Sequence, residues 1–441
     1  MKKTQRSTLS AARNVSQATP HFVGFGIGAA FAIAVRMSEQ RVPITTLVMD
    51  VAFPTACFFM RILFLVMGPF IFFSVAFALG SLRAHKSAMG ITARLFFFYA
   101  VTTSIAILIG QYLVGLIQPG LALPHEARML PSTAISSQYQ EFTNILDPIL
   151  NTTAYTALLN GKLTLLILIS ILCGLITALL PQSRSALLLY MLRTGRTITE
   201  YLVNVWMHFA PAVIATITAV TILRLDDAFA SGLLQYVAVV ILGLTVQMFV
   251  VYPLILLWMG RYSFIDFLKR GQSALVVAFL SRSTSVTLPL TTKTLKERFG
   301  ISDSVCAISV PLGINFNLNG TALFEAVTVV FLAQAFRIDL GFLDQVYLLF
   351  FVLITSIGIP GVPGSALPFL AACLSAFGIP MEGIGLIVGL DGLLGMFRSM
   401  VNLSGDMIGA IYLARSENMA VDLDRIRLPF QFPTFRAKVT E

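Results

Sequence analysis

The sequence predicts an all-α polytopic membrane protein, and three observations carry that reading. Of its 441 residues 57% are hydrophobic and 12% charged, against roughly a quarter charged in an ordinary soluble domain, and the mean hydropathy is +0.85. Apolar stretches of membrane length recur almost to the C-terminus and leave no room for a sizeable soluble domain. Basic residues cluster in alternate loops, as expected when positive charge stays on the cytoplasmic side.

The elements follow in order. Met1 to Pro20 is polar and basic, without the apolar core and small-residue cleavage site of a signal peptide, and reads as a cytoplasmic tail. A first span runs from His21 to Arg36. A second, from Met49 to Leu82, exceeds the ~20 residues a perpendicular helix needs, so it should tilt or bend near Pro69. The third is Ile91 to Ile117, followed by an acidic loop, Gln118 to Asn160, with Glu126, Glu141 and Asp147 against Arg128. The fourth, Leu163 to Leu180, stops at Pro181; the fifth is Thr194 to Leu223, with Glu200 and His208; the sixth is Leu233 to Met259. Lys2, Lys3, Arg6 and Arg13 precede the first span, Arg83, Lys86 and Arg94 follow the second, Arg184, Arg193 and Arg196 the fourth, and Arg261, Lys269 and Arg270 the sixth. These loops are therefore cytoplasmic, both termini lie inside, and the acidic loop faces out.

The net charge of +9 is spread over these loops and not interleaved with aromatics, so orientation explains it and a nucleic-acid partner is not expected. Cys57, Cys173, Cys306 and Cys373 lie far apart in apolar segments and read as packing residues. His208, near Pro211, reads as a polar packing group, and Phe70, Phe72, Phe73 and Phe96 to Phe98 as lipid or core contacts.

Beyond the sixth span the pattern changes. Ala274 to Thr292 has two arms too short to cross ~30 Å of hydrocarbon, joined by Ser281-Arg282-Ser283-Thr284-Ser285, and reads as a re-entrant helical hairpin. Val346 to Phe377 is a second, broken at its middle by the Pro- and Gly-rich run from Ser356 to Ser365. Between them, Ile301 to Phe336 is a span interrupted at Pro311 to Glu325, where Asn315, Asn317 and Asn319 stand at every second position before Gly320. Polar backbone at that depth is tolerated only when buried in protein or lining a cavity, and a broken helix offers carbonyls to a cation and a positive helix end to an anion. The last span is Glu382 to Ala414, which brings the total to eight spans and two hairpins. On it Asp391, Gly395, Arg398, Asn402 and Asp406 fall on one face within about 80°. Ionisable residues inside a span by default mark a site, the alternative being an Arg–Asp network that stabilises the bundle.

These residues resemble the dicarboxylate/amino acid:cation symporters, the family of the glutamate transporters, and in particular its bacterial members. The likeness is carried by Ser281 to Pro289, by Asn317-Leu318-Asn319-Gly320-Thr321 against the family's Asn-Met-Asp-Gly-Thr, by Gly361-Val362-Pro363-Gly364, and by Arg398 to Asp406. The resemblance implies a glutamate-transporter-like fold, an inner-membrane homotrimer, a small anionic substrate, Na+ or H+ as coupling ion, no other cofactor and no enzymatic activity. It implies a scaffold of spans 1 and 2 with the N-terminal tail (1–88) and spans 4 and 5 (161–228). Span 3 (89–117) and everything from span 6 to span 8 (229–415) would form a transport domain that slides as a unit, with an extracytoplasmic loop at 118–160 and a cytoplasmic tail at 416–441. Carried over by position, Arg398 should pair with a substrate carboxylate, Thr321 should donate to the same group and Asn402 to the other. Backbone amides around Arg282, Ser283 and Thr284 and from Ile359 to Val362 should complete the anion site. Gly313, Asn317, Asn402 and Asp406 resemble one sodium site; Tyr99, Thr102, Thr103 and Asn317 resemble most of another. For Arg282 the resemblance leaves a side chain that salt-bridges to the last helix more naturally than it touches substrate.

Three departures from the family pattern matter. Gly395 stands where amino-acid carriers have an aspartate for the substrate's amino group, so an ammonium would be left unpaired, which favours succinate, fumarate or malate over aspartate or glutamate. Asn319 removes a negative ligand from the site near Tyr99. Glu325 occupies a position that resembles one used by proton-coupled glutamate carriers, and is either a proton carrier or a hydrogen-bonded core residue. From other classes, an enzyme using Ser281, Ser283 or Ser285 lacks a nearby base in sequence, and an anion channel fits closed hairpin tips poorly.

Overall fold

The computed structural model describes residues 53–81, 89–123, 163–209, 227–259, 262–359, 361, 364–380 and 383–416, with isolated positions in 27–35 and 212–216. The first predicted span for the most part, the acidic loop beyond Leu123, Val362 and both terminal tails lie outside the described residues. Every regular element named among those residues is helical.

The helix α1 (Phe53–Ser81) runs unbroken through Pro69, and α2 (Met89–Ile117) ends in a short 3-10 turn. Pro181 terminates α3 (Leu163–Leu179) and stands at the N-cap of α4 (Gln182–Met207). The helix starts at Gln182 and not near Thr194, because Ala186 to Leu192 are strong helix formers directly after a proline that opens a helix well. Arg184, Arg193 and Arg196 are therefore helical residues and not loop charges. Arg196 donates from Nη1 to Asn315 Oδ1 at 3.0 Å, lies 3.8 Å from Glu200 and stands over the Phe77 ring. His208 follows α4 and is exposed.

The helix α5 (Asp227–Val246) passes through one π turn, Gln247–Val251, into α6 (Tyr252–Trp258). Pro253, which lacks an N–H, is a local cause of that widened turn. The next pair, α7 (Phe264–Ser281) and α8 (Thr284–Phe299), pack on each other and turn at Arg282, whose φ of 54° is left-handed. Both arms run further than the Ala274 to Thr292 expected, because Ser263 caps the first and Ser283 the second, while Gly300 closes the end at φ 69°. Then α9 (Asp303–Phe316) and α10 (Asn319–Ala335) are separated only by Asn317 and Leu318, the break predicted within Pro311 to Glu325. The helices α11 (Phe342–Ser356) and α12 (Ala366–Ala376) flank the Pro/Gly-rich run, and α13 (Ile384–Ser416) closes the described fold. By length and composition, three helical stretches among the described residues can cross a membrane: Ala93–Ala122, Ser231–Trp258 and Asp303–Ala335.

Packing falls into two groups. The helix α1 lies against α3 and α4; α2, α5 and α7 to α13 pack among themselves, and α12 also touches α1 and α3. Nearly every residue of α10 is buried, as expected of a helix that is apolar all round. In lipid, helices associate through close van der Waals fit at small residues. A Cβ at Gly174 would stand 2.8 Å from Ala76 O, and one at Gly110 3.0 Å from Val327, so these glycines set the approach of α3 to α1 and of α2 to α10. Aromatic contacts tie the second group together. Phe96 meets Phe316 edge-on at 5.5 Å and Phe98 stacks on Tyr412 at 4.6 Å, while Phe97 is exposed.

Candidate functional site

The break between α9 and α10, the turn of the α7/α8 pair, the residues before α12 and the middle of α13 meet around one small cavity. The left-handed turn at Arg282 lets α7 end and α8 begin within two residues, which brings the Arg282 side chain to the cavity wall. The second tip closes over it. Ser283 Oγ donates to the Gly361 carbonyl at 2.5 Å and Ser285 N–H donates to the same oxygen at 3.2 Å. Val286 N–H is held by Ser283 Oγ and Ile359 N–H donates to Ser356 O at 3.4 Å. Of the amides expected to receive an anion, the one at Ile359 is thus engaged within its own tip. Just beyond the expected Arg282 to Thr284, the amide of Ser285 holds the two tips together and that of Val286 is engaged within the first.

Arg398 is the centre of the charged wall. It is 6% exposed and its Nη2 donates to Asp391 Oδ1 at 2.5 Å. Its guanidinium lies 4.0 Å from the centroid of the Phe324 ring, while Nε and Nη1 have no hydrogen-bond partner among the described residues. Asp391 lies on the face its spacing predicts, two turns from Arg398, and the pair is the Arg–Asp contact weighed from the sequence as the alternative to a substrate site. Arg282 closes no ion pair with the last helix among the described residues. It is 5% exposed, lines the cavity, and its Nε has no partner. Gly395 lies between these two side chains: a Cβ there would stand 3.3 Å from Arg398 Nη2 and 3.6 Å from Arg282 Cδ.

Asn402 joins α13 to the first turn of α10. Its Oδ1 accepts from Gly320 N–H at 2.7 Å and Thr321 N–H at 3.4 Å, satisfying helix-start donors. Its Nδ2 donates to Thr321 Oγ1 at 3.0 Å. Thr321 and Asn402 both line the cavity. Gly320 is required there, because a Cβ would stand 2.8 Å from Arg398 O.

Below the cavity lies a set of buried oxygens. Asn317 Nδ2 donates to Asp406 Oδ1 at 2.8 Å and to the Asn402 carbonyl at 2.9 Å. Asp406 Oδ2 and Asn317 Oδ1 are buried without a donor among the described residues. Gly313 packs directly on the carboxylate, where a Cβ would stand 2.7 Å from Asp406 Oδ1. Oxygens of this kind suit a hard cation. The set expected around Tyr99 differs. Thr103 Oγ1 donates to Asn319 Oδ1 at 2.6 Å, Asn319 Nδ2 donates to Tyr252 Oη at 3.0 Å, and Tyr252 Oη donates to Val401 O at 2.9 Å. Thr102 Oγ1 donates to Tyr99 O at 3.1 Å, and the buried Tyr99 hydroxyl has no partner among the described residues. Asn319 thus closes a neutral chain of hydrogen bonds, one that uses both its donor and its acceptor. Tyr252, which completes the chain, carried no signal in the sequence.

Glu325 sits one turn beyond Thr321 on α10, at 0% exposure, with neither carboxyl oxygen hydrogen-bonded among the described residues.

Residues 19–416 match the family described as the sodium:dicarboxylate symporter family. The chain is 27% identical over 372 residues to the proton/sodium-glutamate symport protein of Geobacillus stearothermophilus, covering 82% of this chain and 87% of that one. It is 27% identical over 359 residues to the C4-dicarboxylate transport protein of Bacillus subtilis (80% and 85% covered). It is also 28% identical over 377 residues to that of Cupriavidus taiwanensis (84% and 86% covered). With a matched region that takes in every helix described above, the chain belongs to the sodium:dicarboxylate symporter family, a family of membrane transporters and not of enzymes.

Proposed function

We propose that the protein carries a C4-dicarboxylate such as succinate, fumarate or malate across the inner membrane together with Na+, H+ or both. The observation that carries the choice of substrate is Gly395. Beside the two guanidiniums it presents no carboxylate, so a substrate ammonium has no partner there, and an unpaired buried charge costs several kcal/mol. Two of the relatives above are named as C4-dicarboxylate transport proteins. The second reading, an acidic amino acid, is favoured by Asp391, a carboxylate at the cavity wall, and by the relative named for glutamate. Asp391 is already engaged by Arg398, so an ammonium would have to share it.

In this reading the chain has eight spans and two re-entrant hairpins, α7/α8 and α11/α12, in a trimer. The α1, α3 and α4 group is the scaffold and the other group the sliding transport domain, with the α12 side as gate. Arg398 holds one carboxylate, assisted by Thr321, and the remaining Nδ2 hydrogen of Asn402 serves the other. The backbone amides around Arg282, Ser283 and Thr284 bound the anion. Asp406, Asn317, Gly313 and the Asn402 backbone hold one Na+, and the neutral chain through Asn319 leaves Tyr99, Thr102 and Thr103 a weak cation site at most.

The deciding experiment is uptake into proteoliposomes of labelled succinate and aspartate, with Na+ and pH varied independently. Succinate should accumulate under a cation gradient; if neither succinate nor aspartate accumulates, the symport reading ends. Gly395→Asp should shift the succinate:aspartate preference toward aspartate by about tenfold or more, since the new carboxylate neutralises a guanidinium and can accept an ammonium. Unchanged selectivity removes the Gly395 argument.

Glu325 is proposed to carry the proton, because an ionised carboxyl without partners is costly at that depth and a neutral one is not. Glutamine keeps the side chain neutral at every pH. Uptake by the unaltered protein should therefore fall as external pH rises, and uptake by Glu325→Gln should stay flat. An unchanged pH profile in the variant leaves Glu325 a core residue.

A further inference from the structure

Two buried guanidiniums and one carboxylate line the same cavity: Arg282, Arg398 and Asp391. Asp391 is bonded to Arg398, so the second positive charge has no counter-charge among the described lining residues. Arg282 Nε and the adjacent Thr284 Oγ1 are buried without hydrogen-bond partners among the described residues, as are Nε and Nη1 of Arg398. A buried cation in such a place is costly unless an anion meets it. Gly395, packed against both side chains, leaves the space between them free of a Cβ.

We propose that the Arg282 side chain, with Thr284 Oγ1, is the second carboxylate subsite. The substrate lies between two guanidiniums, one carboxylate on Arg398 and the other on Arg282. The inference rests on the dicarboxylate reading above and adds what selects a dianion over a monoanion. The cavity lining carries one net positive charge, and a dianion turns it into one net negative charge. A cation bound at the Asp406 set is then drawn to the loaded cavity, and loading the dianion and loading the cation favour each other. Rejection of a monoanion follows from the same geometry, since it would leave Arg282 or Arg398 without a partner, and sites with unmatched buried polar groups discriminate strongly.

The test compares succinate with succinamate, its monoamide, as substrate and competitor in proteoliposomes. It also follows the rise in melting midpoint that succinate induces in the purified detergent-solubilised protein, a binding readout independent of movement. The unaltered protein should prefer succinate by on the order of 100-fold. In Arg282→Gln the KM for succinate should rise on the order of 30-fold, preference over succinamate should shrink to below about fivefold, and succinate-induced stabilisation should be lost. Should that variant fail to fold, Arg282→Lys decides. It keeps the charge and loses the fork, and should raise KM for succinate while leaving inhibition by succinamate unchanged. A variant that transports succinate with unaltered KM and unaltered discrimination overturns the inference and leaves the dicarboxylate reading intact. Absence of uptake of any C4-dicarboxylate by the unaltered protein overturns both.

Discussion

Replacing Arg398 with glutamine is expected to abolish labelled succinate uptake, a loss on the order of 100-fold or more, because a fully desolvated charge pair with the substrate disappears. The substitution has a second effect that must be separated from the first. Arg398 also neutralises Asp391, and breaking a buried ion pair from one side costs about 3–5 kcal/mol. Arg398→Gln alone could therefore lower the amount of folded protein. The double variant Arg398→Gln/Asp391→Asn removes both charges together, so the thermal midpoint should recover toward that of the unaltered protein while succinate uptake stays absent. Recovery of uptake in the double variant would remove Arg398 from the substrate site.

Asp406→Asn should have a comparable effect, on the cation side. The substitution conserves shape and retains an oxygen for Asn317 Nδ2, so the hydrogen bond at 2.8 Å can persist while the only carboxylate in the buried oxygen set is lost. The Na+ concentration that half-activates succinate uptake should rise by on the order of 100-fold, with proteoliposomes held at a fixed membrane potential. Unchanged Na+ activation would exclude Asp406 as a ligand. If uptake persists without Na+ and still responds to pH, the proton route through Glu325 carries the coupling.

Several parts of this site were legible because their signals are local. The break at Asn317 and Leu318 follows from asparagines and a glycine set in an apolar run, and both tips follow from Ser- and Gly/Pro-rich interruptions in arms too short to span. The face shared by Asp391, Gly395, Arg398, Asn402 and Asp406 follows from helical periodicity alone. What periodicity cannot supply is partnership. Nothing in the chain's order says that Asn402 caps α10, or that Asn319 closes a hydrogen-bonded chain through Tyr252, since these join residues 82 and 67 positions apart. Helix starts failed for a related reason. The Arg193 and Arg196 charges resembled loop residues, yet an arginine stays in a helix when a neighbouring element supplies a partner, as Asn315 does.

That contact has a kinetic consequence. Arg196 belongs to the α1, α3 and α4 group and Asn315 to the group proposed to slide, so the bond between them breaks each time the two separate. A hydrogen bond with a charged donor contributes about 1.5–3 kcal/mol, and each 1.36 kcal/mol in a barrier is about tenfold in rate. In the proposed sliding movement the pair would lengthen the dwell in this arrangement without touching the cavity, so Arg196→Gln should raise the turnover of succinate uptake and leave its KM unchanged.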